Sequence, residues 1–231
     1  MKIGRLLRDR VLCAGLAVAF GAFALTFRGP RERFWQRMTF TGLGLGTLAL
    51  LAEPELRRTR VKSQDIWQGL GSAMLLYGVF HIGDRLARRI LPSGATEIES
   101  IYDLRALRPR PEIAARLAVV IGPAEELFWR GLVQARLMRM YGKWPGMVAA
   151  TVAYGGAHVV TGNLALIGAA TVAGAFWGLL SAMKVPTATL IVSHVAWDVV
   201  IFLVAPTVPE RGMRPRLQSH STPRPVGMTP V

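Results

Sequence analysis

The sequence predicts an all-α protein, a polytopic transmembrane helix bundle of about seven spans. Of its 231 residues, 52% are hydrophobic and only 18% are charged, whereas a water-soluble domain has about a quarter charged residues on average. The net charge of +14 comes mostly from arginines in short clusters between apolar runs. Basic clusters in this arrangement are typical of the ends of membrane spans. The composition thus excludes soluble, disordered and collagen-like classes, and the clustering argues against a nucleic-acid-binding surface.

Each predicted span is an apolar run close to the length of about 20 residues that crosses the hydrocarbon core. In chain order, the predicted spans cover residues 11–27, 38–52, 66–82, 113–137, 145–160, 164–183 and 185–204. The first follows a basic start and resembles a secretory signal. Its apolar region is longer than the usual length of about 7 to 15 residues, and further spans follow. We therefore predict that it is retained as the first helix.

A polar connection at residues 91–112 divides the predicted spans into two groups. Residues 1–90 hold three spans, and residues 113–206 hold a core of four. The Pro- and Arg-rich tail at 207–231 has no periodic apolar pattern and is predicted to be disordered. The single cysteine, Cys13, excludes a disulfide framework and a four-cysteine metal site.

Ionisable side chains within apolar spans are energetically costly and usually functional. In this sequence they fall in the last four predicted spans, and they are Glu125, Glu126, Arg130, His158, His194 and Asp198. The first three spans are nearly free of such groups, apart from His81 near an end. This uneven distribution predicts a polar site in the carboxy-terminal group of spans.

The fourth predicted span carries two adjacent glutamates with different expected surroundings. Glu126 and Arg130 are four residues apart and share a helix face, with the acid on the favoured amino-terminal side. Glu125 points about 100° away, where it can face a cavity. A purely structural ion pair would explain Glu126 and Arg130, but it would leave Glu125 without an internal partner.

The fifth and seventh predicted spans add two pairs of residues at the same spacing of four. Tyr154 shares a helix face with His158, and His194 shares one with Asp198. A helical His/Asp pair could be a proton relay, half of a metal site or a packing contact. Successive spans run in opposite directions, which places these residues and Glu125 near the bilayer middle or toward one side. We therefore predict that they share one cavity.

A carboxylate, two histidines and a second acid that are shielded from bulk water suit hydrolysis. The carboxylate can take a proton from water, one histidine can orient that water, and the other can donate to an oxyanion. Alternatively, His158, His194 and Glu125 could bind zinc and leave water as the fourth ligand. The zinc-protease signature with two histidines and a glutamate on one helix is absent, and no Ser/His/Asp set is apparent.

The three linked motifs resemble those of the CAAX-protease and bacteriocin-processing (CPBP, or Abi) family of intramembrane endopeptidases, which is related to the type II CAAX prenyl endopeptidases. The motifs are Glu125-Glu126-x-x-x-Arg130, Tyr154-x-x-x-His158 and His194-x-x-x-Asp198. The similarity covers residues 112–204. It implies a glutamate-type membrane endopeptidase with a four-helix catalytic core and no cofactor. It also implies a multi-pass protein of a bacterial plasma (inner) membrane that acts on a membrane-associated protein or peptide and contacts lipid, not nucleic acid.

The resemblance also implies a role for each candidate catalytic residue. Glu125 would activate water together with His158, and His194 with Asp198 would steady the oxyanion. The pairing of Glu126 with Arg130 would support the site.

Two positions depart from the family pattern. Tyr154 stands where phenylalanine is usual, and Asp198 stands where the prenyl endopeptidases have asparagine. An ionised aspartate cannot donate a hydrogen bond to an oxyanion, so we expect Asp198 to orient His194. The aspartate also weakens the expectation of a prenylated substrate. Two other classes use similar residues. One is a non-catalytic immunity or scaffold protein of the same fold. The other is a proton-coupled transporter, which predicts inverted repeats and broken helices in both halves, whereas only the carboxy-terminal half of this chain is polar.

Overall fold

The computed structural model describes residues 9–207, and within that range every regular element is helical. The predicted all-α class is thereby confirmed. The predicted disordered tail lies outside the described residues, except for its first position. The helices are α1 (Arg10–Arg28), α2 (Phe34–Ala52), α3 (Ser63–Ile90), α4 (Gly94–Tyr102), α5 (residues 110–141), α6 (Lys143–Ala157), α7 (Leu164–Ala182) and α8 (Thr187–Val204).

All seven predicted spans coincide with helices of the structure. Helices α1, α7 and α8 are long and apolar enough to cross a membrane. The spans that correspond to α2, α3, α5 and α6 stay predictions. The polar connection at 91–112 is not wholly irregular, because it contains the short helix α4.

The ends of these helices follow from local chemistry. The side chain of Asp9 accepts a hydrogen bond from the Leu12 N–H at 3.0 Å and caps α1, and Asn163 caps α7 through the Leu166 N–H at 2.7 Å. Gly142 separates α5 from α6 and has a φ of 89°, a backbone conformation that glycine adopts without strain.

Helix α5 is irregular around the two glutamates. It has π-helical geometry over Leu117–Ile121 and again over Glu126–Gln134, and Gly122–Glu125 lies between these segments. Pro123 lies in the intervening turn and has no N–H to donate to the preceding turn. Each π-helical turn changes the angular spacing of side chains from that of an α-helix. Such insertions are frequent at functional sites.

The helices of the two predicted groups pack into a common core. The largest fully buried side chains of α1 and α5 include Phe23, Phe128 and Trp129. Helix α3 runs along α8, and the two approach closely at Gly69, where a Cβ atom would lie 2.6 Å from the Val192 Cγ1. On the outside, large apolar side chains such as Leu25 are exposed, as expected of a surface that faces lipid.

One end of the bundle is joined by an ion-pair network. The Arg136 guanidinium contacts Asp9 at 2.8 Å and Glu53 at 2.6 Å, and Arg139 contacts Glu53 at 2.9 Å. The network links the start of α1, the end of α2 and the end of α5. We refer to this as the Asp9 end of the bundle, and to the opposite end, where α4 lies, as the α4 end.

Candidate active site

A cavity of about 640 Å³ lies between the helices toward the α4 end. Glu125, His158, His194 and Asp198 line it, together with many apolar side chains. The sequence-predicted residues of α5, α6 and α8 are thus brought to one cavity. Glu126 and Arg130 are also buried, but they do not line it.

Glu126 is fully buried and binds two partners through one oxygen. Its Oε1 lies 3.0 Å from the Arg130 Nη1 and accepts a hydrogen bond from the His194 Nδ1 at 2.7 Å. Its Oε2 accepts no hydrogen bond within residues 9–207. The ion pair expected from the spacing of four is present. The contact with His194 joins α5 to α8, and the sequence pattern did not indicate it.

The ring of His194 is fixed on three sides. It stacks on Trp177 with 3.9 Å between ring centroids, its Nδ1 donates to Glu126, and its Nε2 lies 3.7 Å from the Asp198 Oδ2. The last distance is longer than a hydrogen bond, so the direct orienting contact comes from Glu126. Because Nδ1 already donates, only a doubly protonated ring could also donate from Nε2. The Glu126 carboxyl lies on the Nδ1 side of the ring, and the Asp198 carboxyl lies on the Nε2 side.

The Arg130 guanidinium lies between two aromatic rings behind the cavity. Its central carbon is 4.7 Å from the centroid of the Tyr154 ring and 5.3 Å from that of Trp177. Both distances fall within the range of cation–π attraction. Arg130 therefore ties α5 to α6 and α7, and it also pairs with Glu126.

Glu125 lines the cavity and has a hydrogen-bond partner on another helix. The Tyr154 hydroxyl donates a hydrogen bond to the Glu125 Oε2 at 2.7 Å. Both residues are buried, and both line the cavity. The sequence pattern did not indicate this contact, because helix spacing describes contacts only within one helix.

His158 directly follows the last residue of α6, and only one of its two ring nitrogens contacts the backbone. Its Nδ1 lies 2.9 Å from the Tyr154 carbonyl oxygen. Because a carbonyl only accepts, Nδ1 carries the hydrogen, and Nε2 of the neutral ring keeps a lone pair. The ring packs edge-on against Phe23 at 5.1 Å. His158 can therefore accept a proton or a hydrogen bond from water at Nε2.

Helix α4 covers part of the cavity at the α4 end. Ile98, Ser100, Ile101 and Tyr102 line the cavity from this helix. Helix α4 was not predicted, although the apolar positions 98, 101 and 102 follow the i, i+3, i+4 spacing of an amphipathic helix.

Hydrogen bonds from several elements hold α4 in place. The Asn163 Nδ2 donates to the Glu97 carbonyl at 2.9 Å, and the Arg31 Nη2 donates to the Ser100 carbonyl at 3.0 Å. The Tyr102 hydroxyl donates to the Ile201 carbonyl at 3.1 Å. Asn163 therefore lines the cavity and also anchors its cover.

The attachment of α4 should depend on pH through Glu97. Hydrogen bonds from the Ser93 hydroxyl and the Ala165 N–H lower the pKa of the Glu97 carboxyl below its ordinary value of 4.5. A lowered folded-state pKa gives stability that is present above the unfolded pKa and is lost as pH falls through the folded one. We expect α4 amides to be protected near neutral pH and to lose protection as the pH falls below 4.5.

Hydrogen–deuterium exchange of α4, corrected for intrinsic rates, measures this loss. The Glu97→Gln variant is the control and should show weaker protection with little pH dependence. An unchanged pH dependence in Glu97→Gln would mean that another group anchors α4.

The donor geometry does not fit a zinc site. Within residues 9–207, no group of three or more His, Cys, Asp or Glu side chains is arranged to hold a metal ion. The zinc alternative of the sequence analysis therefore has no support from the arrangement of these side chains.

Comparison with known proteins identifies one similarity. Residues 111–200 match the family described as type II CAAX prenyl endopeptidase, Rce1-like. The matched segment contains all three motifs of the candidate site. No curated protein and no solved structure matches the chain.

Proposed function

We propose that this protein is a membrane-embedded endopeptidase, because residues 111–200 match the Rce1-like, type II CAAX prenyl endopeptidase family, to which the motifs also bear a resemblance. It hydrolyses a peptide bond of a membrane-associated protein or peptide with water and without a metal. The observation that carries the proposal is the shared cavity wall, where Glu125 and His158 lie with His194.

In the first step, the attacking water lies between Glu125 and His158. The water oxygen attacks the carbonyl carbon of the scissile bond while Glu125 accepts one of its protons. His158 accepts a hydrogen bond from the water at Nε2 and orients it, since Nδ1 is held by the Tyr154 carbonyl. Proton transfer to a positioned group of this kind contributes about 10²- to 10⁴-fold to a rate.

In the second step, the tetrahedral intermediate collapses. The doubly protonated His194 donates from Nε2 to the oxyanion, and Glu126 and Asp198 compensate the positive charge of its ring. Glu125 then gives its proton to the leaving nitrogen as the carbon–nitrogen bond breaks. The products are a carboxylic acid and an amine, which become a carboxylate and an ammonium group once the acid passes its proton to the amine, and Glu125 returns to its ionised state. Asp198 acts on the imidazole and makes no contact with the oxyanion.

The apolar surface of the bundle supports a multi-pass location in a membrane, which we propose to be a bacterial plasma membrane. Helices α1, α7 and α8 can each cross the bilayer. The cavity walls are mostly apolar, so a substrate held by lipid or already partly in the bilayer suits the site better than a soluble protein. Lipid is then a direct partner of the chain.

A comparison of protein termini tests the proposal. Membranes from cells that carry the native chain, the Glu125→Gln variant or the matched control Glu55→Gln are compared by terminal proteomics. Glu55 is an exposed acid near the Asp9 end. New protein termini should occur with the native and control chains and be lost with Glu125→Gln. Identical termini in all three samples would overturn the protease, and a Glu125→Gln chain that still complements a deletion would favour the scaffold alternative.

A further inference from the structure

Tyr154 binds both members of the proposed water-activating pair. Its side-chain hydroxyl donates to the Glu125 Oε2 at 2.7 Å, and its backbone carbonyl accepts from the His158 Nδ1 at 2.9 Å. One residue of α6 therefore sets the position of a carboxylate on α5 and of the imidazole one turn further along its own helix. Within residues 9–207 no other residue contacts both groups by hydrogen bonds.

The two hydrogen bonds leave one atom of each partner available to water. The Glu125 Oε1 accepts no hydrogen bond from residues 9–207, while Oε2 is occupied by the hydroxyl. The His158 Nε2 keeps its lone pair because Nδ1 carries the hydrogen. The free oxygen and the free nitrogen belong to residues that line the same cavity.

The ring of Tyr154 is held independently of its hydroxyl. It packs edge-on against Trp129 at 5.3 Å and against His158 at 5.1 Å, and the Arg130 guanidinium lies over its face. Helix α7 has a glycine, Gly174, next to the ring. A Cβ atom at Gly174 would lie only 2.8 Å from the Tyr154 Cδ1, so any larger residue at this position of α7 would crowd the ring. The hydroxyl can thus be removed without removing the packing of the ring.

We infer that Tyr154 is a positioning residue, whose hydroxyl fixes the rotamer of Glu125 so that Oε1 faces the water bound at His158. The inference rests on the proposed function. The hydroxyl departs from the pattern of the similar family, in which phenylalanine is usual at this position and has no hydroxyl. Tyr154 affects the reaction only through the position of Glu125, and it takes no part in bond making or breaking.

The Tyr154→Phe variant of the purified full-length chain tests the inference in lipid nanodiscs. The assay peptide spans the cleavage site found by the comparison of termini. Loss of a hydrogen bond to a charged group should lower kcat by about 10- to 100-fold. KM should not change, because the ring and its contacts remain, and the variant should still fold and insert into the nanodisc. The control is Tyr77→Phe, which removes a hydroxyl that donates to the Ala205 carbonyl at 3.0 Å outside the cavity, and its kcat should equal that of the native chain.

Infrared spectroscopy gives a second measurement that needs no substrate. In a chain with ¹³C-labelled glutamate, the carboxylate band of Glu125 is the one missing from Glu125→Gln. Tyr154→Phe should shift this band, and Tyr77→Phe should not. An unshifted band, or native kcat in Tyr154→Phe, would overturn the positioning role and leave the protease standing. Absence of cleavage by the native chain would instead overturn the protease, and native kcat in Glu125→Gln would remove Glu125 from the mechanism. In both cases the infrared shift would still decide whether the hydroxyl holds Glu125.

Discussion

Replacement of Glu125 by glutamine should lower kcat by about 10²- to 10⁴-fold. The glutamine amide has nearly the same shape as the carboxylate, and its carbonyl oxygen can still accept a hydrogen bond from the Tyr154 hydroxyl. It cannot take a proton from water or return one to the leaving nitrogen. Because the cavity keeps its shape and volume, the loss of rate should come from the chemical step and not from substrate binding. Single-turnover cleavage of the assay peptide by purified protein measures it.

Membrane insertion and folding provide the matched control for this variant. The Glu125→Gln chain should insert to the same extent as the native chain and unfold at a similar temperature, since no buried ion pair is broken. Activity close to native in a well-folded variant would remove Glu125 from the mechanism.

A strong chelator should leave the native activity unchanged, and inhibition that zinc reverses would contradict the metal-free reaction.

Replacement of Arg130 by methionine should produce the largest loss of stability, about 3–5 kcal/mol in the free energy of unfolding. The change leaves Glu126 fully buried with its charge and removes the partner at 3.0 Å. It also removes the cation that lies between Tyr154 and Trp177. Reversible unfolding in mixed micelles, followed by tryptophan fluorescence, measures the difference from the native chain.

The double variant Glu126→Gln/Arg130→Met separates the uncompensated charge from the lost packing. Removing both charges should restore much of the stability, because a neutral side chain no longer needs a buried cation. Activity should stay low in the double variant, since glutamine supplies no charge to the His194 ring. Equal stability of the single and double variants would show that loss of the stacked guanidinium, and not the stranded carboxylate, destabilises the protein.

The helices were largely predictable because apolar runs between basic clusters mark them directly. The run at 164–183 became α7 (Leu164–Ala182), and the run at 11–27 became α1 (Arg10–Arg28). Helix α4 was missed because it is only nine residues long and lies within a connection that was interpreted as polar. Its three apolar positions have helical spacing, but so short a pattern does not by itself distinguish a helix from a loop.

The contacts of the candidate site were predictable only within a helix. The spacing of Glu126 and Arg130 predicted their ion pair, since it depends on one helix alone. The hydrogen bond from His194 to Glu126 depends on the register between α5 and α8, and no local pattern encodes that register. The bond from Tyr154 to Glu125 depends in the same way on α5 and α6, and also on the π-helical turns that flank Glu125.

The size of the cavity limits which parts of a protein could be cut. Its volume of about 640 Å³ is in the range of small-molecule pockets, about 300–1,000 Å³. A short unfolded stretch of polypeptide fits such a space, and a folded domain does not. Cleavage would therefore be confined to flexible tails and to loops that unwind at the bilayer surface, and proteins with tightly packed ends would escape.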